Sequence, residues 1–306
     1  MQLNNLKQDN KSNKRSASFN VDEESFHLFS NDVSLKIFER MCLVRQFELN
    51  LMESVNKKDV KVAVYLASGQ ESVACAMSLA VREYQIFAQH RAHDIYLAFG
   101  GSPEMFRDEM LSLPTGTSGG KAGSNCLQYH ADGMDMYGHH GLIGENVPMG
   151  VGAALANGRN TLCVFGDGSA EEDYVLSSLG FAATHKLPVL FVCMDNDLSI
   201  LTPTEVRRNW DIADVAESMG IPSVDLSDDP WEVLKQTEKL TQNLPALINC
   251  RTCRKYWHVG TGNDGESEWD RFQICKDKLI NAGLSKEVEE IEERVSRDME
   301  ELWKTN

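Results

Sequence analysis

Thr161-Leu-Cys-Val-Phe165-Gly-Asp-Gly-Ser169 and, after an amphipathic stretch, Pro188-Val-Leu-Phe-Val-Cys-Met194-Asp-Asn-Asp-Leu198 decide how this chain folds. Each apolar run is short and bounded by turn residues, the pattern of a buried strand. The residues between them, from Ser169 through His185, carry helical spacing. One strand–turn–helix–strand unit therefore puts Asp167 and Asn196 at the carboxyl ends of two neighbouring parallel strands, where open α/β sheets bind ligands. A carboxylate oxygen and an amide oxygen beside a glycine turn suit a hard divalent cation holding a diphosphate. Mg²⁺ favours octahedral oxygen ligation and shares its shell with phosphates. The backbone N–H groups of Gly168 and Ser169, at a helix N-terminus, suit the phosphate oxygens. Read by itself, the unit is also compatible with a Gly-Asp-Gly turn in another doubly wound protein, with Asn196 a strand-end turn residue.

Outward from this unit, composition sets limits. With 306 residues and 42% hydrophobic content, the chain has enough apolar material for a proper core, in one large α/β domain or two small ones. A formal net charge of −16 argues against a nucleic-acid binder, which carries a basic footprint. The eight cysteines are not a disulfide framework, and Cys163 and Cys193 sit inside apolar runs. Cys250-Arg-Thr-Cys253 has no second pair nearby, so a closed four-ligand zinc site is not expected there. The first thirty residues lack a signal-peptide pattern, and no apolar run approaches the roughly 20 residues that span a bilayer. A reduced, cytoplasmic protein without membrane contact is the expectation.

Along the chain, residues 1–30 are polar and read as a mobile tail, and residues 31–306 as a single domain. A helix opens at Ser34-Leu35-Lys36, with Leu35, Phe38, Met41, Cys42, Leu49 and Met52 at helical spacing. A second begins at Gly69-Gln70-Glu71. Tyr84 to Ala88 reads as a strand ending at His90-Arg91-Ala92-His93. The glycine-rich Gly116 to Ser124 lacks the ending of a P-loop. Val151 to Ala156 is a helix of small residues, and the Val147–Ala156 surface is expected at subunit contacts. Helices at 211–219 and 230–242 alternate with strands at 222–226 and 245–250. Arg254 to Asp264 is a polar, aromatic, glycine-rich loop at a strand end, expected to be mobile until a ligand orders it. From Trp269 the chain is helical, and its charges between Glu287 and Lys304 read as a solvated face.

Several segments, in order, resemble one family: Val44-Arg45-Gln-Phe47-Glu48, Gly69-Gln70-Glu71, His90-Arg91-Ala92-His93, Gly119-Gly120-Lys121-Ala-Gly123-Ser124, Gly141-Leu-Ile143-Gly144 with Val147-Pro148-Met-Gly150, the Gly166–Asn196 unit, and His258-Val259-Gly260. That family is the alpha subunit of the thiamine diphosphate-dependent 2-oxo acid dehydrogenases, with the acetoin dehydrogenases. The resemblance covers about residues 30 to 303. It implies an α/β thiamine diphosphate-binding fold: a mostly parallel sheet flanked by helices, with helical extensions at both ends. It also implies the cofactors thiamine diphosphate and Mg²⁺, with the metal held by Asp167, Asn196 and the backbone carbonyl of Leu198. Gly168 and Ser169 join His90 and Arg91 at the diphosphate, in keeping with arginine's bidentate phosphate pairing. Gly141 and Ile143 line the aminopyrimidine pocket, and His258 lies over the thiazolium as the proton-transferring catalytic residue. The glutamate that contacts the aminopyrimidine comes, in this family, from a beta subunit, so an α2β2 heterotetramer is implied. A lipoyl acyltransferase is a further partner of the dehydrogenase complexes, and the substrate is a small carbonyl compound.

The departures bear on the substrate pocket. Tyr65 stands where relatives carry histidine, and Ser124-Asn125-Cys126 replaces Ser-Met-His. Asp195-Asn196 replaces Asn-Asn, and the loop reads His258-Val-Gly260. Besides the dehydrogenase, two readings stay open: a subunit of a thiamine diphosphate-dependent acyloin- or aldehyde-transfer enzyme of a biosynthetic pathway, and a non-catalytic assembly subunit.

Overall fold

Met194 at the end of one strand lies beside Gly166 at the end of another, and both runs point the same way. The computed structural model describes residues 20–131, 133–139, 141–263 and 265–304. In chain order its elements are α1 (Glu23–Leu28), α2 (Asn31–Asn56), α3 (Glu71–Ala80), β1 (Gln85–Phe87), α4 (His93–Ala98), α5 (Pro103–Met110), β2 (Tyr129–Ala131) and β3 (Met134–Tyr137). There follow α6 (Asn146–Asn157), β4 (Thr161–Gly166), α7 (Asp173–His185), β5 (Val189–Asp195), the two short strands β6 (Leu198–Ser199) and β7 (Thr202–Pro203), and α8 (Thr204–Arg207). The chain continues through α9 (Ile212–Ser218), β8 (Ser223–Ser227), α10 (Pro230–Leu240), β9 (Ala246–Arg251), α11 (Arg271–Asn281) and α12 (Ser285–Lys304).

The main sheet has seven strands in the order β2-β3-β1-β4-β5-β9-β8. All its pairs are parallel except β2 with β3. The fold class is therefore the one expected, with an antiparallel edge added. The apolar runs alternate between two cores, because successive side chains on a strand point to opposite faces. Leu162, Val164, Leu190 and Val192 pack on one side, together with α2, α3 and α10. Cys163, Phe165, Phe191 and Cys193 pack on the other, with α6, α7 and α9. Burial on both faces explains why these strands read as unbroken apolar runs.

The amino-terminal reading needs a correction. Residues 1–19 lie outside the described residues, but residues 20–30 are not tail. Asp22 caps α1 by accepting from Ser25 N at 2.6 Å, and its own N–H donates to Asp229 at 2.6 Å. Phe26 is buried edge-on against Trp231, with ring centroids 4.8 Å apart. A single apolar anchor in a polar stretch gives no periodic signal. The following helix begins at Asn31 behind the Ser30 cap, a turn earlier than its apolar periodicity suggests.

At the other end, α12 buries Val288, Val295 and Met299 and turns its charges outward. All eight cysteines are free, and both Cys250 and Cys253 are buried. Among the described residues no group of three or more His, Cys, Asp or Glu is arranged to hold a metal, and no helix is long and apolar enough to cross a membrane.

Candidate active site

The carboxyl ends of β1, β4, β5 and β9 meet at one cavity of about 130 Å³. Gln89, His90 and Arg91 reach it from the end of β1, Asp167 to Ser169 from β4, Asn196 and Leu198 to Ile200 from β5, and Arg254 and His258 from the segment after β9. From β1 the chain crosses to β3 on one side and later returns as β4 on the other. The cavity therefore lies at a topological switch point, where the loops after adjacent strands diverge and leave room for a ligand.

Asp167 is almost wholly buried. Burial pushes its carboxyl up to about 6, Asp195 adds to the rise, and Arg207 and Arg208 oppose it. Arg207 donates to Asp167 Oδ2, and Arg208 Nη1 donates to the Asp167 carbonyl at 2.6 Å. Asn196 Nδ2 donates to Gln70 Oε1 at 2.9 Å, and Asn196 Oδ1 accepts from Leu198 N at 3.2 Å. The amide oxygen is thereby turned away from Gln70. Gly168 is required by crowding: a Cβ there would stand 2.6 Å from Ser199 Oγ.

His90 carries two buried ring nitrogens with no hydrogen-bond partner. Burial holds its pKa well below the ordinary histidine value, and Arg91, His258 and His139 act in the same direction. A neutral imidazole without protein partners, facing a cavity, is the arrangement expected of a ligand contact. Arg91 is fully buried, and burial lowers it to about 10, so it remains a cation at neutral pH. Its Nη1 donates to Leu66 O at 2.6 Å and its Nη2 to His258 O at 2.9 Å. The guanidinium thus staples two loops together as well as charging the cavity.

The His258 loop is tied down. Lys255 N donates to Ser68 O at 3.0 Å, and Gly260 N to Val64 O at 2.8 Å. Gly69, at φ +97°, lets this loop pass: a Cβ there would lie 2.2 Å from Cys253 O. The segment 64–69 is in turn fixed by Glu48, which is wholly buried and accepts from Ala67 N and Ser68 N at 2.6 Å each. Glu48 also bonds His93 Nδ1 at 2.9 Å, while His93 Nε2 meets Ser124 Oγ at 2.6 Å. The Ser124 hydroxyl accepts from Tyr65 N at 2.9 Å. The Tyr65 ring stands edge-on to His90 and His258, at 5.1 and 5.6 Å between centroids.

Of the expected site residues, His90, Arg91, Ile143, Asp167, Gly168, Ser169, Asn196, Leu198 and His258 line the cavity. Gly141 does not line it; its N–H donates to His139 Nδ1 at 2.9 Å on an exposed turn. Sequence reasoning missed Arg207, Arg208 and Arg254. Gln70 was visible in Gly69-Gln70-Glu71, but its contact with Asn196 was not.

The chain resembles known proteins over most of its length. A family model described as dehydrogenase E1 component matches residues 39–305. The pyruvate dehydrogenase E1 component subunit alpha-1, mitochondrial, of Arabidopsis thaliana is 32% identical over 173 residues, covering 55% of this chain and 44% of the relative. The pyruvate dehydrogenase E1 component subunit alpha of Rickettsia bellii is 28% identical over 239 residues, covering 73% of this chain and 72% of that one. Against the Arabidopsis relative, the chain thus spans under half of the relative's length. Transketolase from Leishmania mexicana superimposes with a TM-score of 0.57 at 14% identity, over 88% of this chain and 46% of its own, a likeness of fold alone. On the family match, which takes in all but the amino-terminal segment and the last residue, the chain belongs to the dehydrogenase E1 component family.

Proposed function

We propose that this chain is the alpha-type subunit of a thiamine diphosphate- and Mg²⁺-dependent dehydrogenase acting on a 2-oxo acid or an acetoin-like substrate. The observation that carries the reading is the meeting of Asp167 and Asn196 with His90 and Arg91 in one cavity at the switch point of the sheet. The donor set fits the cofactor: a carboxylate and an amide oxygen for a hard cation, a guanidinium charge and the single N–H of an unpartnered imidazole for a diphosphate. Asp167, Asn196 and the Leu198 carbonyl are the metal ligands in this reading. His90, Arg91, Gly168 and Ser169 hold the diphosphate, and Ile143 borders the aminopyrimidine, with Gly141 on the exposed turn outside the cavity lining.

When bound, thiamine diphosphate supplies the carbanion that attacks a carbonyl and the electron sink that follows C–C cleavage. The chain's own residues orient, shield and move protons. His258, whose ring lies 5.2 Å from that of His90, holds or transfers a proton at its imidazole nitrogen. Ile143, in the cavity wall, and Tyr65, packed edge-on behind His90 and His258, shield the reacting atoms from water. The cavity is smaller than the roughly 300–1,000 Å³ of a complete small-molecule site. That suits half of a site shared with a beta subunit that brings the missing glutamate, in an α2β2 assembly. Leu142, Ile143, Met149 and Leu155 are exposed along one side of α6 and the turn before it, a surface suited to such a partner. Coupling to a lipoyl acyltransferase and a cytoplasmic location complete the reading.

Tyr65, wedged against both His90 and His258, favours a second reading, acyloin or aldehyde transfer, because it changes the pocket wall where substrate lies. Screening 2-oxo acids, acetoin and aldehyde acceptors separates the two. Calorimetry of the assembled protein with thiamine diphosphate and Mg²⁺ tests the cofactor assignment. Asp167→Ala loses binding and Asn196→Ala weakens it; unchanged affinity in Asp167→Ala refutes the reading.

A further inference from the structure

Arg207 makes four hydrogen bonds around Asp167. Nη2 donates to Asp167 Oδ2 and, at 2.9 Å, to Thr204 Oγ1; Nη1 donates to Glu171; Nε donates to Thr202 O at 3.1 Å. The neighbouring Arg208 also reaches Glu171, at 3.2 Å, but it binds the main-chain carbonyl of Asp167 rather than its carboxylate and lies over the Trp210 ring, 4.8 Å from its centroid. Arg208 is thus built into the wall and acts on Asp167 through its charge, whereas Arg207 is in direct ion-pair contact with the Asp167 carboxylate.

We infer that Arg207 is an internal counter-cation, which a divalent metal must displace before it takes Asp167. The inference rests on the proposed role of Asp167 as metal ligand. Arg207 holds Oδ2, and a dication on either oxygen of the same buried carboxylate would stand close to the guanidinium, a repulsion little screened there. Two features allow the exchange. Glu171, a quarter exposed, remains a partner for the displaced guanidinium. The segment 198–208 is also loosely seated: Ile200, Leu201 and Val206 are 59%, 65% and 71% exposed, so it is held mainly by polar contacts. Elements with few buried apolar contacts open at low free-energy cost. Metal loading therefore releases Arg207 from Asp167 and rearranges residues 198–208, which also carry the Leu198 ligand. Arg207 fixes the Asp167 carboxylate in place before the metal arrives, and in exchange it weakens metal affinity.

The test is a Mn²⁺ titration followed by electron paramagnetic resonance of the free ion. It uses the assembled protein with saturating thiamine diphosphate at pH 8. Arg207→Gln is expected to bind Mn²⁺ on the order of tenfold tighter than the parent, the equivalent of one charge-assisted hydrogen bond no longer competing. Arg207→Lys, which keeps the charge, is expected to stay near the parent. Asp167→Asn reads the underlying assignment. If it binds Mn²⁺ normally, the metal reading itself fails; if it loses Mn²⁺ while Arg207→Gln is unchanged or weaker, the counter-cation role alone fails. Hydrogen exchange on the unmutated protein is independent of how the variants fold: peptides covering 198–208 should exchange faster on Mn²⁺ addition, and unchanged or slower exchange overturns the displacement.

Discussion

Glu48→Gln is the sharpest probe of what holds the active site together. The carboxylate is wholly buried and accepts from Ala67 N, Ser68 N, the Ser68 hydroxyl and His93 Nδ1. Burial alone pushes its pKa up, but the bonds from His93, Ser68 and Ala67 outweigh burial and hold it below the ordinary glutamate value. An amide in its place offers one oxygen. Whichever way it is turned, its NH₂ faces one backbone N–H, that of Ala67 or that of Ser68, so one charge-assisted bond is lost outright. At about 1.5–3 kcal/mol for such a bond, the loss is about 1.5–3 kcal/mol. For a chain of this size that is a melting temperature lower by about 2–5 °C. Because the pKa is depressed in the fold, the stability at stake is present above the ordinary glutamate range and lost as pH falls, so the gap between parent and variant closes in acid. Urea titration at pH 7 and pH 4 measures both, with Glu39→Gln as control: the exposed Glu39–Arg294 pair is worth under about 1 kcal/mol. The segment 64–69 also carries the His258 loop, so turnover should fall with stability. A Glu48→Gln protein as stable at pH 7 as the Glu39→Gln control would refute the clamp.

Three further outcomes follow from the site. Burial, reinforced by Asp195, raises the Asp167 carboxyl to about 6, so its protonated form stabilises the metal-free fold at low pH and that contribution is lost as pH rises through about 6. Metal must displace that proton, so Mg²⁺-dependent cofactor affinity should be flat above pH 7 and fall about tenfold per pH unit below 6, read by calorimetry across pH. His258→Ala should lower kcat by about 10²–10⁴-fold with little change in cofactor affinity, and a near-normal rate removes it from proton transfer. The chain purified alone should bind the cofactor poorly and turn nothing over, with both restored by the beta partner; full activity with no second polypeptide in the mass spectrum overturns the shared site.

The sheet was legible because its central strands are buried on both faces. Thr161–Gly166 and Val189–Asp195 had no other use for unbroken apolar runs, and their turns placed Asp167 and Asn196 correctly. Less legible were features that depend on one residue or on distant partners. Phe26 anchors α1 through Trp231, some two hundred positions away. The β2–β3 pairing uses only three residues a side, too few for periodicity to reveal. Arg207 gave no signal because no local rule ties an arginine on a four-residue helix to an aspartate forty positions earlier. The loop after β9 was read as free from its glycines and polarity. Its bonds to Val64 and Ser68 run through backbone groups, which every sequence possesses and none advertises.

Those backbone bonds change how the arginines of the site work. Arg91 gives both terminal nitrogens to the carbonyls of Leu66 and His258, and Arg254 gives Nη2 to Ile200 O at 2.8 Å. The Arg91 fork is therefore committed to fixing loops, and Arg254 ties down Ile200 through one terminal nitrogen, while both charges still act across the cavity, since a buried cation is screened far less than an exposed one. In the proposed reading, recognition of a diphosphate would divide between fields and bonds: Arg91 and Arg254 would supply positive potential from fixed positions, and the hydrogen bonds would come from the Gly168–Ser169 turn and His90. Geometry is maintained without the ligand, because the same guanidinium that attracts the anion also sets where the His258 backbone lies. Replacing arginine by lysine at 91 would keep most of the attraction and lose the two-carbonyl bridge, since an ammonium on a flexible stem lacks the planar fork. Charge and placement are thus coupled in one side chain at the centre of the site.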